Sequence, residues 1–366
     1  MIDKLQQIQA RLNDAPAILA NKKVAAGFDG FIDSIVKVVN YKSADEGTVH
    51  FSTIAQFGNY ISSKSGSGFS LESEEIVQKL GGNMPIMSNA LGQMGCAVNC
   101  VGAFGVPGIA AAFAAMHQNC MLHSFTNPGF TNAMEFTDGK IMLAQMTDLN
   151  NADWDTIKAA IGLDKLREIF LSADLTCLVN WSELDHSNNI WQGLLDDVYA
   201  GTDITTERQF FFDLSDCSKR SDEAIQSAIM LIQRFGKFGK TTLSLNKNEA
   251  GILYNTLVGS GKTTDLNIIG NSLFWNLGID VIVIHSSQTS LAWDANGTYR
   301  DDPAFIASPK IFTGAGDNFN AGFCLAQLLG LDTSLSLMMA NVTANCYINS
   351  GQSPDIAALQ LYISQL

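Results

Sequence analysis

Basic residues are scarce in this chain: 22 Lys and Arg stand against 36 Asp and Glu among 366 residues, a formal net charge of -14. Nucleic acid and anionic membrane surfaces attract clusters of Lys and Arg, and none occurs here, so neither is expected as a partner. Long apolar runs are missing as well. No stretch is long enough to cross a bilayer, and Met1 to Leu12 is polar and amphipathic without an apolar h-region. A soluble cytoplasmic protein is the expectation. The seven cysteines are odd in number and scattered through apolar segments such as Leu175 to Val179, which argues against a disulfide framework. Cys96, Cys100, His117, Cys120 and His123 follow no common zinc spacing, so a zinc site is not expected. Two nucleotide signatures are absent too. The segment Gly259-Ser260-Gly261-Lys262-Thr263-Thr264 has Thr256 where a P-loop needs glycine, and a helical run, Glu249 to Leu257, where it needs a strand. Gly102 to Gly108 is not a G-x-G-x-x-G fingerprint, so a nicotinamide cofactor is not expected either.

What is present is an alternation of strand-like and helix-like segments. From Asp153 onward the order reads helix, strand Leu175 to Asn180, helix Asn188 to Tyr199, strand Gln209 to Asp213, helix Asp222 to Phe235, strand Thr241 to Leu245. Such alternation predicts a mainly parallel sheet covered on both faces, an α/β fold. Earlier in the chain a strand Lys23 to Gly27 leads through Gly27-Phe28-Asp29-Gly30-Phe31-Ile32-Asp33 into a second strand, Ser34 to Val39. Ligands of open α/β sheets bind outside the carboxyl ends of strands, so Asp29 or Asp33 is placed to hold hydroxyl groups, although either also serves as a turn former. Gly81-Gly82-Asn83-Met84-Pro85 precedes a helical run, and the paired glycines permit close approach of a ligand to the backbone. A strand Cys96 to Ala103 and a helix Ile109 to His117 are read next.

Asp138-Gly139 between apolar-alternating segments 131–136 and 140–146 predicts a hairpin. An insertion of this kind at the ligand edge would be a lid. One main domain spanning 1–366 is expected, with a small β lid formed by parts of 34–52 and 131–147. Asn246-Lys247-Asn248-Glu249 follows a strand and reads as a capping box, as an oxygen site for hydrated Mg²⁺ near nucleotide phosphates, or as both.

The most specific stretch is Thr313-Gly314-Ala315-Gly316-Asp317 before the apolar-periodic run Asn318 to Leu329. A helix start leaves N–H groups unpaired and carries about half a positive charge, which attracts phosphate. A bound phosphate would repel an acid there unless the acid takes a proton from an attacking hydroxyl. The pattern points to phosphoryl transfer.

Taken in order along the chain, the Gly27 to Asp33 strand end, Gly81-Gly82, Asn246-x-x-Glu249 and Gly314-Ala315-Gly316-Asp317 resemble the ribokinase-like (PfkB) family of carbohydrate kinases. The resemblance implies a three-layer α/β/α fold with a small β lid, and transfer of the γ-phosphate of ATP to a sugar or sugar-like hydroxyl. It makes Asp317 the catalytic base and the N–H groups of Gly314, Ala315 and Gly316 the anion hole. Asn246 and Glu249 match the magnesium and phosphate motif. Asp33, with Asp29 as the alternative, matches the sugar-binding acid beside Gly81, Gly82 and Asn83. Ser286 borders the nucleotide, and Asn341 and Gly351 match the segment over the adenine. A homodimer through the lid is also implied. Three positions depart from the family pattern. Ile86 stands where the family has a sugar-binding asparagine, and Ile311-Phe312 stands where it has Asp and Thr, so potassium activation of the usual kind is not expected. Ser286 to Thr289 lacks the family's glycine. A binding protein that no longer turns its ligand over is the alternative, and retention of Asp317 and Glu249 argues against it.

Overall fold

Strands that are apolar on both faces require cover on both faces, and period-two alternation shows where each face packs. The computed structural model describes residues 2–202, 207–259, 261 and 263–366. Its strands are β1 (Lys23–Gly27), β2 (Phe31–Ser43), β3 (Gly47–His50), β4 (Ser73–Gly81), β5 (Ala97–Gly102), β6 (Cys120–Ser124) and β7 (Gly129–Phe136). They continue with β8 (Gly139–Gln145), β9 (Leu175–Leu178), β10 (Gln209–Asp213), β11 (Lys240–Asn246), β12 (Val281–His285), β13 (Ser290–Asp294) and β14 (Gly297–Asp301). Nine of these form one sheet in the order β14-β13-β12-β11-β10-β9-β1-β5-β6. All pairs from β12 to β6 are parallel, and only β13 and β14 run antiparallel.

Phe210 and Phe212 of β10 point into one core together with Ile282 and Ile284 of β12, while Phe211, Val281 and Val283 point into the other. Helices therefore cover both faces, giving the three layers. Because the strands are parallel, Asp213 at the end of β10, Asn246 at the end of β11 and His285 at the end of β12 all arrive at one edge of the sheet.

The second sheet has five strands in the order β3-β2-β7-β8, with β4 paired to β2. Its cover is the helix Ile54–Ser63, whose Phe57 packs with Val38 and Phe51. In the hairpin, Phe136 lies opposite Gly139, so the turn residues are Thr137 and Asp138, one position earlier than the sequence suggests. Gly139 adopts φ 152, and Asp138 accepts the Ile54 N–H at 2.9 Å, tying the turn to the covering helix. Strand β4 has no counterpart in the sequence reading, because it is exposed along most of its length and offers no apolar alternation.

Two helices differ from expectation. The predicted helix Ile109 to His117 shrinks to a 3-10 turn, Ala111–Ala115, because the Ala110 N–H is drawn back to the Phe104 carbonyl at 2.7 Å. A helix Leu266–Leu277, with Asp265 as its cap, was not anticipated. The rejected P-loop segment follows the helix Lys247–Leu257 rather than a strand; its Ser260 and Lys262 lie outside the described residues.

The helix Ala315–Leu328 packs closely on Thr333–Ser350, and Gly322 makes that approach possible. A Cβ at Gly322 would stand 2.4 Å from Thr343 Oγ1 and 3.0 Å from the Met339 carbonyl oxygen. Gly322→Ala is expected to gain about 1 kcal/mol of helix propensity but to lose about 1–3 kcal/mol to overpacking, for a lower urea midpoint overall. A midpoint at or above that of the parent would show that the two helices separate at little cost.

Candidate active site

The loop Thr313 to Asp317 enters its helix through Gly314, which sits at φ 89, a left-handed conformation that glycine adopts without steric cost. A Cβ there would also meet the Tyr347 hydroxyl at 2.8 Å and Ile86 Cγ2 at 3.4 Å. Tyr347 donates to the Thr313 carbonyl at 2.8 Å, and Asn318 Nδ2 donates to the Gly314 carbonyl at 2.9 Å. The loop is thus held by two side chains from the helices beneath it. The Ala315 N–H is occupied by the Phe312 carbonyl at 3.0 Å, whereas the N–H groups of Gly314 and Gly316 have no hydrogen bond among the described residues. Asp317 follows within the first turn, half-buried. Burial, then the charges of Asp213 and Asp29, push its carboxyl well above the usual range.

Asp29 and Asp33 have separate environments. Asp29 is fully buried and accepts from Asn180 Nδ2 at 2.7 Å and from the Met84 N–H at 2.9 Å, so it caps the helix Asn83–Gln93. Its carboxyl is pushed up to about 7 by burial, which outweighs these hydrogen bonds. Asp33 is half-buried on β2, opposite Lys79 of β4 and Thr131 of β7. Burial raises it, and Lys79, Thr131 and Lys140 pull it back. The paired glycines serve one acid each: a Cβ at Gly81 would stand 2.6 Å from the Asp33 carboxyl carbon, and one at Gly82 would stand 2.4 Å from Asp29 Oδ2. Asn83 begins the helix that Asp29 caps.

Asn246 and Glu249 form a complete capping box. Asn246 Oδ1 accepts the N–H groups of Asn248 at 2.8 Å and Glu249 at 3.0 Å, and Glu249 Oε2 accepts the Asn246 N–H at 2.8 Å. The other carboxylate oxygen accepts from Asn246 Nδ2. Glu249 is buried, and its carboxyl is pushed up to about 9 by burial and then by Asp213, with Asp216 and Asp317 adding to the effect. Asp213 accepts from Asn320 Nδ2 at 2.7 Å and from the Ser215 N–H at 2.8 Å, and burial raises it in turn.

A cleft of about 1110 Å³ opens beside this cluster, with room for a nucleotide. Asn246, Ser286, Gly316 and Asn341 all line it, and so do Thr263 and Thr264 from the segment that resembled a P-loop. Asn341 is spent structurally: it donates to Asp301 Oδ2 at 2.7 Å and accepts from Ser290 at 2.9 Å, anchoring β13 and β14. Gly351 lies away from the cleft lining. It ends the helix Thr333–Ser350 in a left-handed cap with φ 79.

Sequence reasoning passed over Asp213, Asn180, His285 and Tyr347. Asp213 carried a readable signal, a carboxylate at the end of a correctly placed parallel strand. Asn180 did not, because its left-handed backbone at φ 61 is apparent only in the fold. His285 lines the cleft and packs against Phe319 at 4.6 Å between ring centroids, and burial lowers its imidazole to about 4.

Solved structures with this architecture include a probable sugar kinase from Rhizobium etli, with TM-score 0.64 and 14% identity over 94% of this chain and 98% of that one. Ribokinase of Arabidopsis thaliana, solved with ribose and ATP, aligns with TM-score 0.60 and 14% identity over 94% of this chain and 98% of that one. The fold is therefore ribokinase-like, and the enzyme is a carbohydrate kinase. Residues 3–366 match the model of the prokaryotic ketohexokinase family, to which this chain belongs. Ketohexokinase of Haloferax volcanii is 26% identical over 344 residues, covering 93% of this chain and 91% of that protein. No helix among the described residues is long and apolar enough to cross a membrane.

The buried acids make stability depend on pH in a direction opposite to that of a salt-bridged carboxylate. A carboxyl raised in the fold, as Asp29 is to about 7 from 3.8, binds more protons folded than unfolded between those values. Its contribution is therefore lost as pH rises through that window. The urea midpoint is expected to fall between pH 5 and pH 8, and Asn at position 29 can keep both partners, since Asn180 Oδ1 has no hydrogen bond of its own. Asp29→Asn should flatten the slope; an equally steep slope in the variant would assign it elsewhere.

Proposed function

We propose that the protein transfers the γ-phosphoryl group of ATP to a hydroxyl of a ketohexose, with Asp317 as general base. The observation that carries this reading is the position of Asp317. It occupies the first turn of a helix whose Gly314 and Gly316 N–H groups are unpaired, with the nucleotide-sized cleft reaching Gly316 and the Asp29 carboxyl near enough to raise its own. Phosphoryl transfer asks mainly for positioning, proton removal and neutralisation of phosphate charge. Asp317 in its ionised form takes the hydroxyl proton, and the raised carboxyl brings its proton affinity closer to that of the group it serves. The free N–H groups of Gly314 and Gly316 meet the phosphoryl oxygens. Asp33 holds sugar hydroxyls, with the second sheet as a lid that keeps water out once the sugar is bound.

The acids at the strand ends suit a hydrated divalent cation. After burial, Asp213, Asp216 and Asp317 raise Glu249, and Asp213 raises Asp317, and a nearby positive charge would relieve that repulsion. Both oxygens of Glu249 are taken by Asn246, so contact through water fits better than direct ligation, as Mg²⁺ prefers. Bound there beside the nucleotide, Mg²⁺ would neutralise charge on the β- and γ-phosphates. Relatives support the acceptor, because the Haloferax volcanii protein is a ketohexokinase. Ile86 supports a different hydroxyl contact from that of the wider family, since it packs against Gly314 and offers no polar atom. Ile76, Val77 and Leu143 are exposed on the second sheet, and this apolar surface supports pairing of two copies through it.

ADP release with Mg²⁺-ATP should depend on a ketohexose and be weaker with aldohexoses and nucleosides. Asp317→Asn should lower kcat by about 10²- to 10⁴-fold with the fold intact. A variant within about threefold of the parent would remove the base from Asp317. The acid limb of the pH profile should lie above the ordinary carboxylate range and move to lower pH in Asp213→Asn, because Asp213 is one of the charges that raise Asp317. An unmoved limb would mean that another group sets it.

A further inference from the structure

Lys140 stands on β8, in the second sheet, 173 residues from the loop that it touches. Its Nζ donates to Thr313 Oγ1 at 2.6 Å. Thr313 directly precedes Gly314, whose N–H has no hydrogen bond among the described residues, and Gly316 beyond it lines the nucleotide cleft. Two features make this contact unusual. In a chain with 36 acidic residues, Lys140 forms no ion pair among the described residues and rests on a neutral hydroxyl instead. A second lysine already serves the nearby acid: Lys79 is directly opposite Asp33 and has the larger effect on it, Lys140 the smaller. An ammonium carries three donors, and one hydroxyl uses one of them. What remains is a charge without an ion-pair partner among the described residues, and two donors, close to both the acid proposed for the sugar and the loop proposed for the phosphate.

We propose that Lys140 is a catalytic cation, carried by the second sheet to the rim of the Gly314–Gly316 hole, where it contacts the transferring phosphoryl group. This rests on the kinase reading above. In the step served, the acceptor oxygen bonds to the γ-phosphorus as the bond from that phosphorus to the β,γ-bridging oxygen breaks. The hydroxyl proton passes to Asp317, and ADP leaves. Lys140 gains and loses no atoms; its charge offsets negative charge on the equatorial phosphoryl oxygens. The charge stands on the second sheet, so the sheet that would cover the sugar also completes the hole.

The test is steady-state kinetics with Mg²⁺-ATP and a ketohexose on Lys140→Met, Lys140→Gln and Lys140→Arg, with Asp317→Asn alongside. Lys140 is exposed, so the fold should survive each change, and thermal unfolding would verify it. Lys140→Met should lose about 10²-fold or more in kcat with the KM for sugar changed by less than about threefold. Lys140→Gln keeps a donor for Thr313 but no charge and should be equally impaired, while Lys140→Arg should recover at least about tenfold over Met. If Gln is as active as the parent, Lys140 merely steadies the loop and the proposal is overturned. It is overturned equally if Met keeps kcat within about threefold while Asp317→Asn is inactive, an outcome that leaves the kinase reading standing. An active Asp317→Asn would instead remove the reading on which this proposal rests.

Discussion

Several carboxyl groups, buried or half-buried, gather beside the ends of parallel strands, and the repulsion among them is the constraint that the surrounding side chains answer. Asp29, Asp213, Glu249 and Asp317 are all raised, burial being the first cause for each and neighbouring acids a further one for Glu249 and Asp317. Parallel strands bring this about, because every strand ends on the same side and a short polar residue at each end converges on one place. Each buried acid is kept tolerable by its own donors. Asp29 takes Asn180 and the Met84 N–H, Asp213 takes Asn320 and the Ser215 N–H, and Glu249 takes both nitrogens of Asn246. Asp317 has the helix N-terminus, with its partial positive charge, and little else. The acid with the fewest fixed donors is the one best able to exchange a proton.

The same loop needs a support that the apolar side chains of Ile311 and Phe312 do not supply. Tyr347 reaches the Thr313 carbonyl from the end of a neighbouring helix. A phenol in that role is a fixed neutral donor. Burial and the nearby Asp317 raise the tyrosine to about 12, so it keeps its proton across the working pH range and the loop is held without titrating. Dependence on a close helix contact follows. Tyr347 sits on the helix that packs against Ala315–Leu328 at Gly322, so the spacing of two helices fixes the geometry of a loop some distance along the pair.

Much of this was legible in the sequence where local chemistry decided the outcome. Strand Gln209–Asp213 and helix Asp222–Phe235 match the sequence reading to the residue, because an unbroken apolar run marks the one and a Ser221 cap the start of the other. The Asn246 capping box was legible for the same reason. Residues whose role depends on partners far along the chain were not. Asn180 meets Asp29 across 151 positions, Lys140 meets Thr313 across 173, and Tyr347 is an ordinary apolar-face residue until its hydroxyl is seen against the loop. Asp29 and Asp33 were treated as alternatives for one task because spacing alone cannot separate a buried cap from a half-exposed acid.

The fold separates those two acids by placing them on different sheets. Asp29 follows β1 and belongs to the central layer, whereas Asp33 lies within β2 and belongs to the second sheet, and Gly30 between them passes so close to Ala103 that a Cβ would stand 2.1 Å from its carbonyl oxygen. The glycine pair repeats the division, Gly81 ending β4 under Asp33 and Gly82 opening the helix under Asp29. Each side of the junction therefore has one acid packed on one glycine, with no side chain to wedge the two sheets apart. Movement of the second sheet would carry Asp33, Lys79 and Lys140 together and leave Asp29 and Asp317 behind. The acid and the cation proposed at Asp33 and Lys140 would then move as one body relative to Asp317, because both are strand residues of the second sheet.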